Sequence, residues 1–526
     1  MAKNVLFIMC DQLRWDYLSC YGHPTLETPH VDWLASQGVR FDRAYVQSPL
    51  CGPSRYSFLT GRYASSHGSM TNDDRPRPGE IHMGHYLQAL KVRTAVVGKL
   101  AVRPNLAALD RLGIDFQSKI GRSLSTGGVE PFWHDDGLNP DEIVAFKGGL
   151  AYNDYLREQG YDTENPWDRN ANSAVDDEGN YLSGTLMRYA RLPANIKEEH
   201  SETAYTADQA IRFMTEAQGD RPWCLHMSFI KPHWPYVAPA PYNNMYGPDD
   251  LIPVVQDPAE LENTHPVLGA FMAEEYSQNW RRQEVRETVI PTYMGLVKQI
   301  DDHLGRVLAF MRENRLMDDT LIVFTSDHGD YLGDHYLGEK YLFHEPSVRM
   351  PLIVVDPSPE ADQTRGTVSE KLVESIDLLP TFLDFVGGKI PVERIEGRSL
   401  LPLLRGEEVT GWRNEAISEI DYSDHDVRRT LNQPVYDCRA YMVRTERWKY
   451  ILYEGYRPQL FDMKNDPFEV NDLGETADCE AVRREMHERL FRWMRRRKVR
   501  TETVYEDILP MGNEANEAIG VVIGRW

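Results

Sequence analysis

The sequence predicts an α/β fold in which a large mixed, mostly parallel β-sheet is sandwiched by helices. Several short apolar runs have the composition of strands that are buried on both faces, as in a parallel sheet. These runs are residues 4–10, 93–99, 223–229, 320–330 and 350–356. Segments with helical spacing lie between them, and this alternation is typical of doubly wound sheets.

Three segments have the features of helices that pack on such a sheet. Residues 28–38 begin with a Thr-Pro pair and end at Gly38, and these residue types start and stop helices. Residues 293–314 carry an apolar stripe at helical spacing, and residues 375–387 repeat this pattern. We expect these helices to cover the faces of the sheet.

Other parts of the chain differ from this alternating pattern. Residues 105–200 are rich in Gly, Asp and Asn, and we predict long loops there that form a substrate-binding rim. Residues 440–454 have strand composition, and residues 479–499 form a basic amphipathic helix whose apolar stripe favours packing over nucleic-acid binding. We therefore predict a catalytic domain over 1–404 and a smaller C-terminal α+β subdomain over 405–526.

The last stretch of the sequence, residues 501–526, ends in the apolar segment IGVVIGRW. An exposed apolar chain end is unfavourable, so we expect this tail to pack on another subunit. The sequence thus predicts a homo-oligomer, either a dimer or a tetramer.

Composition and charge exclude several classes of partner. The net charge of −23 argues against nucleic acid or an anionic membrane, although a local cationic pocket could still take a small anionic substrate. No apolar run approaches the ~18 residues of a membrane span, and the first apolar run is too short for a secretory signal. The six scattered cysteines indicate free thiols in a reducing compartment. We therefore expect a cytoplasmic protein.

Two of the predicted strands end in potential metal ligands. Asp11 and Gln12 follow the first strand, and Asp327 and His328 follow the strand in 320–330. Ligands bind at the carboxyl ends of strands in open α/β sheets. A single aspartate there is more often a cap or turn residue, but two such pairs favour a divalent cation. Oxygen ligands with one imidazole favour Mn²⁺, with Ca²⁺ as the alternative.

Cys51 lies in the loop sequence SPLCGPSRYSFLTGRY, far from any second cysteine that could complete a disulfide or a metal motif. The segment from Cys51 to Arg55, followed by LTGR, resembles the C-x-P-S-R signature of type I sulfatases in the alkaline phosphatase superfamily. The segments NVLFIMCDQ and VFTSDHGDYLGDH resemble the two metal-binding strands of that family. The resemblance covers roughly 3–100, 220–245 and 290–405, and it implies an alkaline-phosphatase-like fold.

The resemblance also implies a modified nucleophile. In this family the cysteine is oxidised by a formylglycine-generating enzyme, and the hydrated formylglycine attacks the ester. One hydroxyl attacks sulfur or phosphorus, and the other then collapses to the aldehyde and expels the product. The same resemblance assigns one divalent metal to Asp11, Gln12, Asp327 and His328, together with the modified Cys51.

The cationic groups of the site come from the same resemblance. Lys99 matches the family's strand lysine, His233 matches its active-site histidine, and Lys340 matches the lysine after its second metal strand. His233 and Lys340 would contact the ester oxygens, and one of them would protonate the leaving group. Arg55 would neutralise the nucleophile or the metal carboxylates, and Asn72 is a further candidate for substrate binding.

Some positions depart from the commonest sulfatase pattern. Gln12 stands in place of an aspartate and His328 in place of an asparagine, and both substitutions resemble the phosphonate monoester hydrolase and choline-sulfatase-like relatives. Ala101 stands in place of a histidine that assists hemiacetal cleavage in the family, which leaves that base unassigned. Lys99 favours a sulfatase over a phosphonate hydrolase.

One metal and few cationic groups suit a monoanionic substrate. The sequence therefore predicts a sulfatase that acts on aryl or small alkyl sulfate monoesters, with promiscuous hydrolysis of phosphonate monoesters and phosphodiesters. A phosphonate monoester hydrolase with side sulfatase activity is the alternative enzyme. A non-catalytic binding protein with unmodified Cys51 is the alternative of another class.

Overall fold

The fold is built on an eight-stranded mixed sheet, seen in a computed structural model that describes residues 3–75, 77–101, 104–137 and 150–498. The strand order is β11-β2-β10-β9-β1-β8-β4-β5. The strands of this and the smaller sheets are β1 Asn4–Asp11, β2 Val39–Phe41, β3 Ala44–Tyr45, β4 Arg93–Gly98, β5 Glu130–His134, β6 Ser173–Val175, β7 Tyr181–Ser183, β8 Trp223–Pro232, β9 Thr320–Ser326, β10 Leu352–Val355, β11 Thr367–Ser369, β12 Val373–Glu374, β13 Glu415–Asp421, β14 Arg439–Thr445, β15 Trp448–Tyr453 and β16 Gln459–Asp462.

Helices cover the main sheet and fill the connections between its strands. The α-helices are Pro29–Gln37, Cys51–Thr60, Ala64–His67, Met83–Ala89, Leu106–Arg111, Lys119–Thr126, Ala151–Glu158, Glu202–Glu216, Pro266–Ala273, Glu275–Trp280, Gln283–Glu313, Glu345–Val348, Leu378–Phe385, Leu401–Leu404, Asp426–Thr430 and Glu480–Arg496. The three helices predicted from sequence are confirmed, and the longest begins ahead of its predicted start, at Gln283.

Strand β1 lies at the centre of the sheet and explains its layered packing. It pairs in parallel with β8 on one side and β9 on the other. Its odd-numbered residues from Val5 to Met9 join one buried core with helices Cys51–Thr60 and Leu378–Phe385. Its even-numbered residues from Leu6 to Cys10 join a second core with helices Glu202–Glu216 and Gln283–Glu313. Burial on both faces is therefore the reason for the continuous apolar run.

The parallel part of the sheet brings several strand ends to one edge. Strands β9, β1, β8, β4 and β5 all run in the same direction. Strand β10 is antiparallel to its neighbours β9 and β2, so the sheet is mixed, as predicted. The carboxyl ends of β1, β4, β8 and β9 consequently lie side by side. The predicted site residues at or just after these ends are Asp11, Gln12, Lys99, His233, Asp327 and His328.

A smaller antiparallel sheet forms the C-terminal α+β unit. Strands β13 to β16 pair in sequence order, which confirms the predicted strands in 440–454. One face of this sheet joins the core of the main sheet, and helix Glu480–Arg496 covers the other through Met486 and Leu490. The apolar stripe of the basic helix is thus a packing surface, whereas the domain boundary near residue 405 stays a prediction.

The prediction of long loops over 105–200 is partly wrong. The described part of this region contains three helices of six to eight residues and the strands β5, β6 and β7. Asn105 and Ser118 cap two of these helices by accepting hydrogen bonds from Ala108 N and Gly121 N. Elements of this length are too short to show a periodic pattern.

The predicted oligomerisation tail, 501–526, lies outside the described residues. Within the described ranges, none of the helices is both long enough and apolar enough to span a bilayer. All six cysteines lie within the described residues, and no two of them form a disulfide, as the sequence indicated.

Replacing Leu490 by alanine should destabilise the C-terminal unit. Leu490 is 1 % exposed and packs in the core of the small sheet, so the cavity left by alanine should lower the free energy of unfolding by about 2–5 kcal/mol. Urea denaturation measures this loss. Arg492→Ala, on the exposed side of the same helix, is the control and should change stability by less than about 0.5 kcal/mol. Equal losses for the two variants would contradict the packing role of the helix.

Candidate active site

The prediction that Cys51 lies in a loop is wrong, because Cys51 is the first residue of a fully buried helix, Cys51–Thr60. The preceding residue, Leu50, is extended, and Pro53 falls in the first turn, where its missing N–H breaks no helical hydrogen bond. The backbone N of Gly52 instead donates to Asn72 Oδ1 at 2.9 Å. Cys51 therefore lies at the positive end of the helix dipole, which favours a negatively charged group there.

Four of the predicted metal ligands surround one point beside this helix start. Asp11, Cys51, Asp327 and His328 are all buried, and one ligand atom from each lies within 4.8 Å of the others. Cys51 Sγ is 3.1 Å from His328 Nε2 and 3.7 Å from Asp11 Oδ1. The structure thus brings the ends of β1 and β9 together around Cys51. We call these four residues the metal group.

The imidazole of His328 is oriented by its backbone neighbour. His328 Nδ1 lies 2.9 Å from the carbonyl oxygen of Gly329, and an N–H at Nδ1 donates to that oxygen. This hydrogen bond leaves Nε2 facing the metal group, which is the usual way that proteins orient a ligating histidine.

Two buried cations compensate the carboxylates of the metal group. Arg55 Nε donates to Asp327 Oδ2 at 2.7 Å, and Lys99 Nζ donates to Asp11 Oδ2. Arg55 Nη1 also donates to Ser228 Oγ and to the backbone oxygen of Lys99, each at 2.9 Å. Of the two roles considered for Arg55, its geometry matches neutralisation of the carboxylates.

These contacts shift the pKa values of the buried acids. Burial favours a raised pKa for Asp11, but the positive charges of Lys99 and Arg55 hold that pKa well below its usual range. Burial raises the pKa of Asp327, and the adjacent charge of Asp11 raises it further, against the opposing effect of Arg55. The two carboxylates therefore differ in proton affinity because Asp11 faces more positive charge.

The pKa of the Cys51 thiol depends on a similar balance. Burial and Asp11 raise this pKa, but Lys340, Lys99 and His328 together lower it well below the usual thiol range. The surroundings of Cys51 thus stabilise negative charge at the head of its side chain, which is a property of nucleophile sites.

Gln12 has an unusual backbone that is held from both sides. Its φ of 64° lies in the left-handed region, which costs energy for a residue other than glycine. Gln12 N donates to Asp327 Oδ1 at 3.1 Å, and Tyr293 Oη donates to the carbonyl of Gln12 at 2.8 Å. Its side-chain Oε1 accepts from Lys340 Nζ at 2.7 Å, and its Nε2 donates to Asp330 Oδ2. The amide therefore lies beside the metal group.

Lys340 and His233 form a pair next to Cys51. Lys340 Nζ lies 3.5 Å from Cys51 Sγ and 3.2 Å from His233 Nε2. His233 Nδ1 donates to the carbonyl of Trp234 at 2.7 Å, so its Nε2 accepts from the lysine. Burial disfavours the ammonium, but Cys51, Glu339 and Asp11 raise the pKa of Lys340 above its usual value. The ammonium group of Lys340 is therefore protonated and lies next to Cys51 Sγ.

Asn72 and the region after Lys99 complete the predicted positions. Asn72 Oδ1 is used by the backbone of Gly52, so its contact with the site runs through the start of the Cys51 helix. The backbone N of Ala101, where the family pattern has a histidine, donates to Asp136 Oδ1 at 2.9 Å. His134 Nε2, from the neighbouring strand β5, lies 2.9 Å from the same carboxylate oxygen.

The sequence reasoning missed several residues that support the site. Ser228 holds Arg55, Asp330 and Tyr236 lie behind Gln12, and Asp136 holds the backbone after Lys99. Asp330 belongs to the segment VFTSDHGDYLGDH and Tyr236 to residues 220–245, both of which carry the family resemblance, and their polar character is the available signal. Only the three-dimensional contacts show what they touch.

The donor set of the site fits a divalent cation. Two buried carboxylates and an imidazole face one point, with the Gln12 amide beside them, and oxygen-rich sets with one imidazole suit Mn²⁺ or Ca²⁺. A buried cysteine at a helix start, a metal group and a lysine–histidine pair are features of metal-dependent hydrolases of anionic esters.

Comparisons with known proteins agree with this class. The family model described as Sulfatase matches residues 3–118 and 153–388, and the model described as N-sulphoglucosamine sulphohydrolase, C-terminal, matches residues 333–496. A multifunctional alkaline phosphatase superfamily protein of Trinickia caryophylli is 30 % identical, over 96 % of this chain and 97 % of that protein. An arylsulfatase of Clostridium perfringens is 27 % identical, over 90 % of each chain.

A solved structure is similar over nearly the whole chain. The phosphonate monoester hydrolase of Silicibacter pomeroyi superposes with a TM-score of 0.81 at 28 % identity, covering 94 % of this chain and 96 % of that one. The chain therefore belongs to the sulfatase family of the alkaline phosphatase superfamily. The resemblance and the alkaline-phosphatase-like fold inferred from the sequence are confirmed.

Arg55→Met should destabilise the protein strongly, because it leaves the buried carboxylates of Asp327 and Asp11 without their arginine. The removal of one partner from a buried ion pair costs about 3–5 kcal/mol, which chemical denaturation of the metal-free protein can measure. Arg212→Met removes an exposed pair with Glu216 and should cost about 1 kcal/mol or less. If Arg55→Met were as stable as this control, the compensating role of Arg55 would be wrong.

Proposed function

We propose that this enzyme hydrolyses sulfate monoesters of aryl or small alkyl alcohols, with secondary hydrolysis of phosphonate monoesters and phosphodiesters. The nucleophile would be formylglycine made from Cys51, and one divalent cation would bind the metal group and Gln12. The observation that carries this proposal is the position of Cys51 Sγ, which lies at a helix start within 3.1–3.7 Å of His328, Lys340 and Asp11.

The relatives support the reaction class. Several are named for sulfatase activity, among them an arylsulfatase of Clostridium perfringens and a choline-sulfatase of Rhizobium meliloti. Membership of the family implies a metal ion and a formylglycine in general. Mn²⁺ is favoured over Ca²⁺ because the donor set includes the imidazole of His328.

The modified residue would supply a hydroxyl nucleophile, and the cation would lower the pKa of that hydroxyl and offer positive charge to an ester oxygen. Side chains of this protein would bind the substrate and transfer the proton to the leaving group. Lys340, which is protonated and next to the nucleophile, would bind a non-bridging oxygen of the ester. His233 receives a hydrogen bond from Lys340 at Nε2, so a proton can pass along this pair to the leaving oxygen. Arg55 and Lys99 would hold the carboxylates in place.

The charge distribution favours a monoanionic ester. Lys99 and Arg55 are occupied by Asp11 and Asp327, which leaves Lys340 and the metal to face the substrate. A dianionic phosphate monoester would need more positive charge at this point. A sulfate monoester, a phosphonate monoester and a phosphodiester each carry a single charge and fit equally on this ground.

The second candidate is a phosphonate monoester hydrolase with side sulfatase activity. The structural similarity to the hydrolases of Silicibacter pomeroyi and Agrobacterium radiobacter, at TM-scores of 0.81 and 0.79, favours it. Gln12 and His328 resemble both the phosphonate monoester hydrolases and the choline-sulfatase-like relatives, so these two residues do not decide between the candidates. Lys99, which bonds Asp11, is the residue that favours the sulfatase.

We also propose the assembly and maturation of the enzyme. The tail of residues 501–526 would join subunits into a homo-oligomer, and a formylglycine-generating enzyme would act on Cys51. We retain the expectation of a cytoplasmic protein, on the basis of the six scattered cysteines. The net charge of −23 supports the expectation of no nucleic-acid or membrane partner.

The preference between esters can be measured directly. We expect kcat/KM for an aryl sulfate to exceed that for an aryl phosphonate monoester with the same leaving group, because Lys99 follows the sulfatase pattern. The same leaving group in both substrates removes differences in leaving-group chemistry. A ratio that strongly favours the phosphonate would assign the second candidate function instead.

Cys51→Ala should abolish turnover and leave folding intact, since the side chain is small and the change removes the nucleophile.

The mass of the peptide that contains Cys51 tests the alternative of a non-catalytic binding protein in which Cys51 is unmodified. Conversion to formylglycine exchanges one sulfur and two hydrogens for one oxygen, so the peptide becomes about 18 Da lighter. An active preparation with an unchanged thiol would refute the formylglycine mechanism.

A further inference from the structure

The side-chain amide of Gln12 lies between two groups of opposite hydrogen-bonding character. Its Oε1 accepts from Lys340 Nζ at 2.7 Å, and its Nε2 donates to Asp330 Oδ2. An ammonium group can only donate and a carboxylate can only accept. A reversed amide would set donor against donor and acceptor against acceptor, so these contacts fix the orientation. Gln12 Oε1 therefore points toward Lys340 Nζ, which also lies next to Cys51 Sγ.

Asp330 is in turn held by two other parts of the chain. Tyr236 Oη donates to Asp330 Oδ2 at 2.7 Å, and the backbone N of Leu332 donates to Asp330 Oδ1 at 3.0 Å. Gln12 and Asp330 are fully buried, and Tyr236 is 3 % exposed. Both carboxylate oxygens are therefore occupied by donors, and solvent does not compete for them.

A glutamine at a metal-binding position needs such support in a way that an aspartate does not. Both oxygens of a carboxylate can bind a cation, whereas only one end of an amide can, and the other end carries two N–H donors. We propose that Asp330 and Tyr236 are positioning residues, which hold the Gln12 amide with its oxygen toward the metal group. This inference rests on the metal site of the proposed function.

Asp330→Asn tests the inference because it replaces one acceptor by a donor. Leu332 N and Gln12 Nε2 donate to different oxygens of Asp330, and the introduced amide has only one oxygen. One of these two hydrogen bonds is therefore lost, and the orientation of the Gln12 amide is no longer fixed. We expect the dissociation constant for Mn²⁺ to rise by about 10–100-fold, the usual effect of removing such support. Calorimetric titration of the full-length, metal-stripped protein with Mn²⁺ measures this change.

The double variant Gln12→Glu/Asp330→Asn separates positioning from a general structural role. It exchanges amide and carboxylate between the two positions at constant net charge and nearly constant size. The introduced amide can donate to the introduced carboxylate and to Tyr236 Oη, while its oxygen accepts from Leu332 N. Either oxygen of the introduced carboxylate can face the metal. We therefore expect Mn²⁺ affinity, and kcat/KM measured with saturating Mn²⁺, to recover most of the loss caused by Asp330→Asn.

Asp334→Asn is the matched control, because Asp334 is a buried aspartate of the same segment that contacts Arg14 and Val255 N, and not Gln12. We expect it to lower thermal stability and to leave the Mn²⁺ dissociation constant unchanged. If Asp330→Asn does not fold, the double variant should still fold and bind Mn²⁺ like the wild type, and failure of both would overturn the proposal.

The remaining outcomes also decide the question. Wild-type Mn²⁺ affinity in Asp330→Asn, or a double variant that binds no better than that single variant, would overturn the positioning role and leave the proposed function intact. A wild-type protein that binds no divalent cation at all would overturn both.

Discussion

The structure depends on the burial of two carboxylates side by side. Asp11 and Asp327 are fully buried at the ends of adjacent parallel strands, and two unpaired charges there would destabilise the fold severely. Arg55 and Lys99 supply the missing positive charge. Because Arg55 belongs to the Cys51 helix and Lys99 follows β4, the same ion pairs that stabilise the carboxylates also attach the Cys51 helix to the sheet. The site and the fold therefore share their central contacts.

The direction of the strands explains why these contacts can form. The ends of β1, β4, β8 and β9 lie at one edge. Asp11 is the last residue of β1, and the residues directly after β4, β8 and β9 are Lys99, His233 and Asp327. A hydrogen bond from Ser54 Oγ to the carbonyl of Asp327, at 2.6 Å, fixes the helix start against the same edge. These side chains are therefore carried by the ends of strands and not by long loops, which keeps the distances between them fixed.

Much of this arrangement could be predicted from the sequence, and the failures have physical reasons. The apolar runs identified the main strands because burial on both faces leaves a continuous pattern. The direction of β10 could not be assigned, since a buried strand has the same composition in either direction. Asp330 and Tyr236 are 94 residues apart, and their hydrogen bond leaves no pattern in a single sequence. The roles of Cys51 and Lys340 came from the family resemblance, since a lone cysteine or lysine is chemically ambiguous.

The presence of Gln12 changes the charge balance that the substrate meets. With a glutamine in place of an aspartate, the site has two carboxylates, and each already pairs with a buried cation. A divalent cation bound there would therefore keep most of its positive charge for the nucleophile and the ester. Such a cation would attract the anionic oxygens of the ester more strongly. The disadvantage is that a glutamine can bind the cation through one atom only, its side-chain oxygen. The contacts of Lys340 and Asp330 on either side of the amide remove this disadvantage, because they leave a single orientation that satisfies both neighbours.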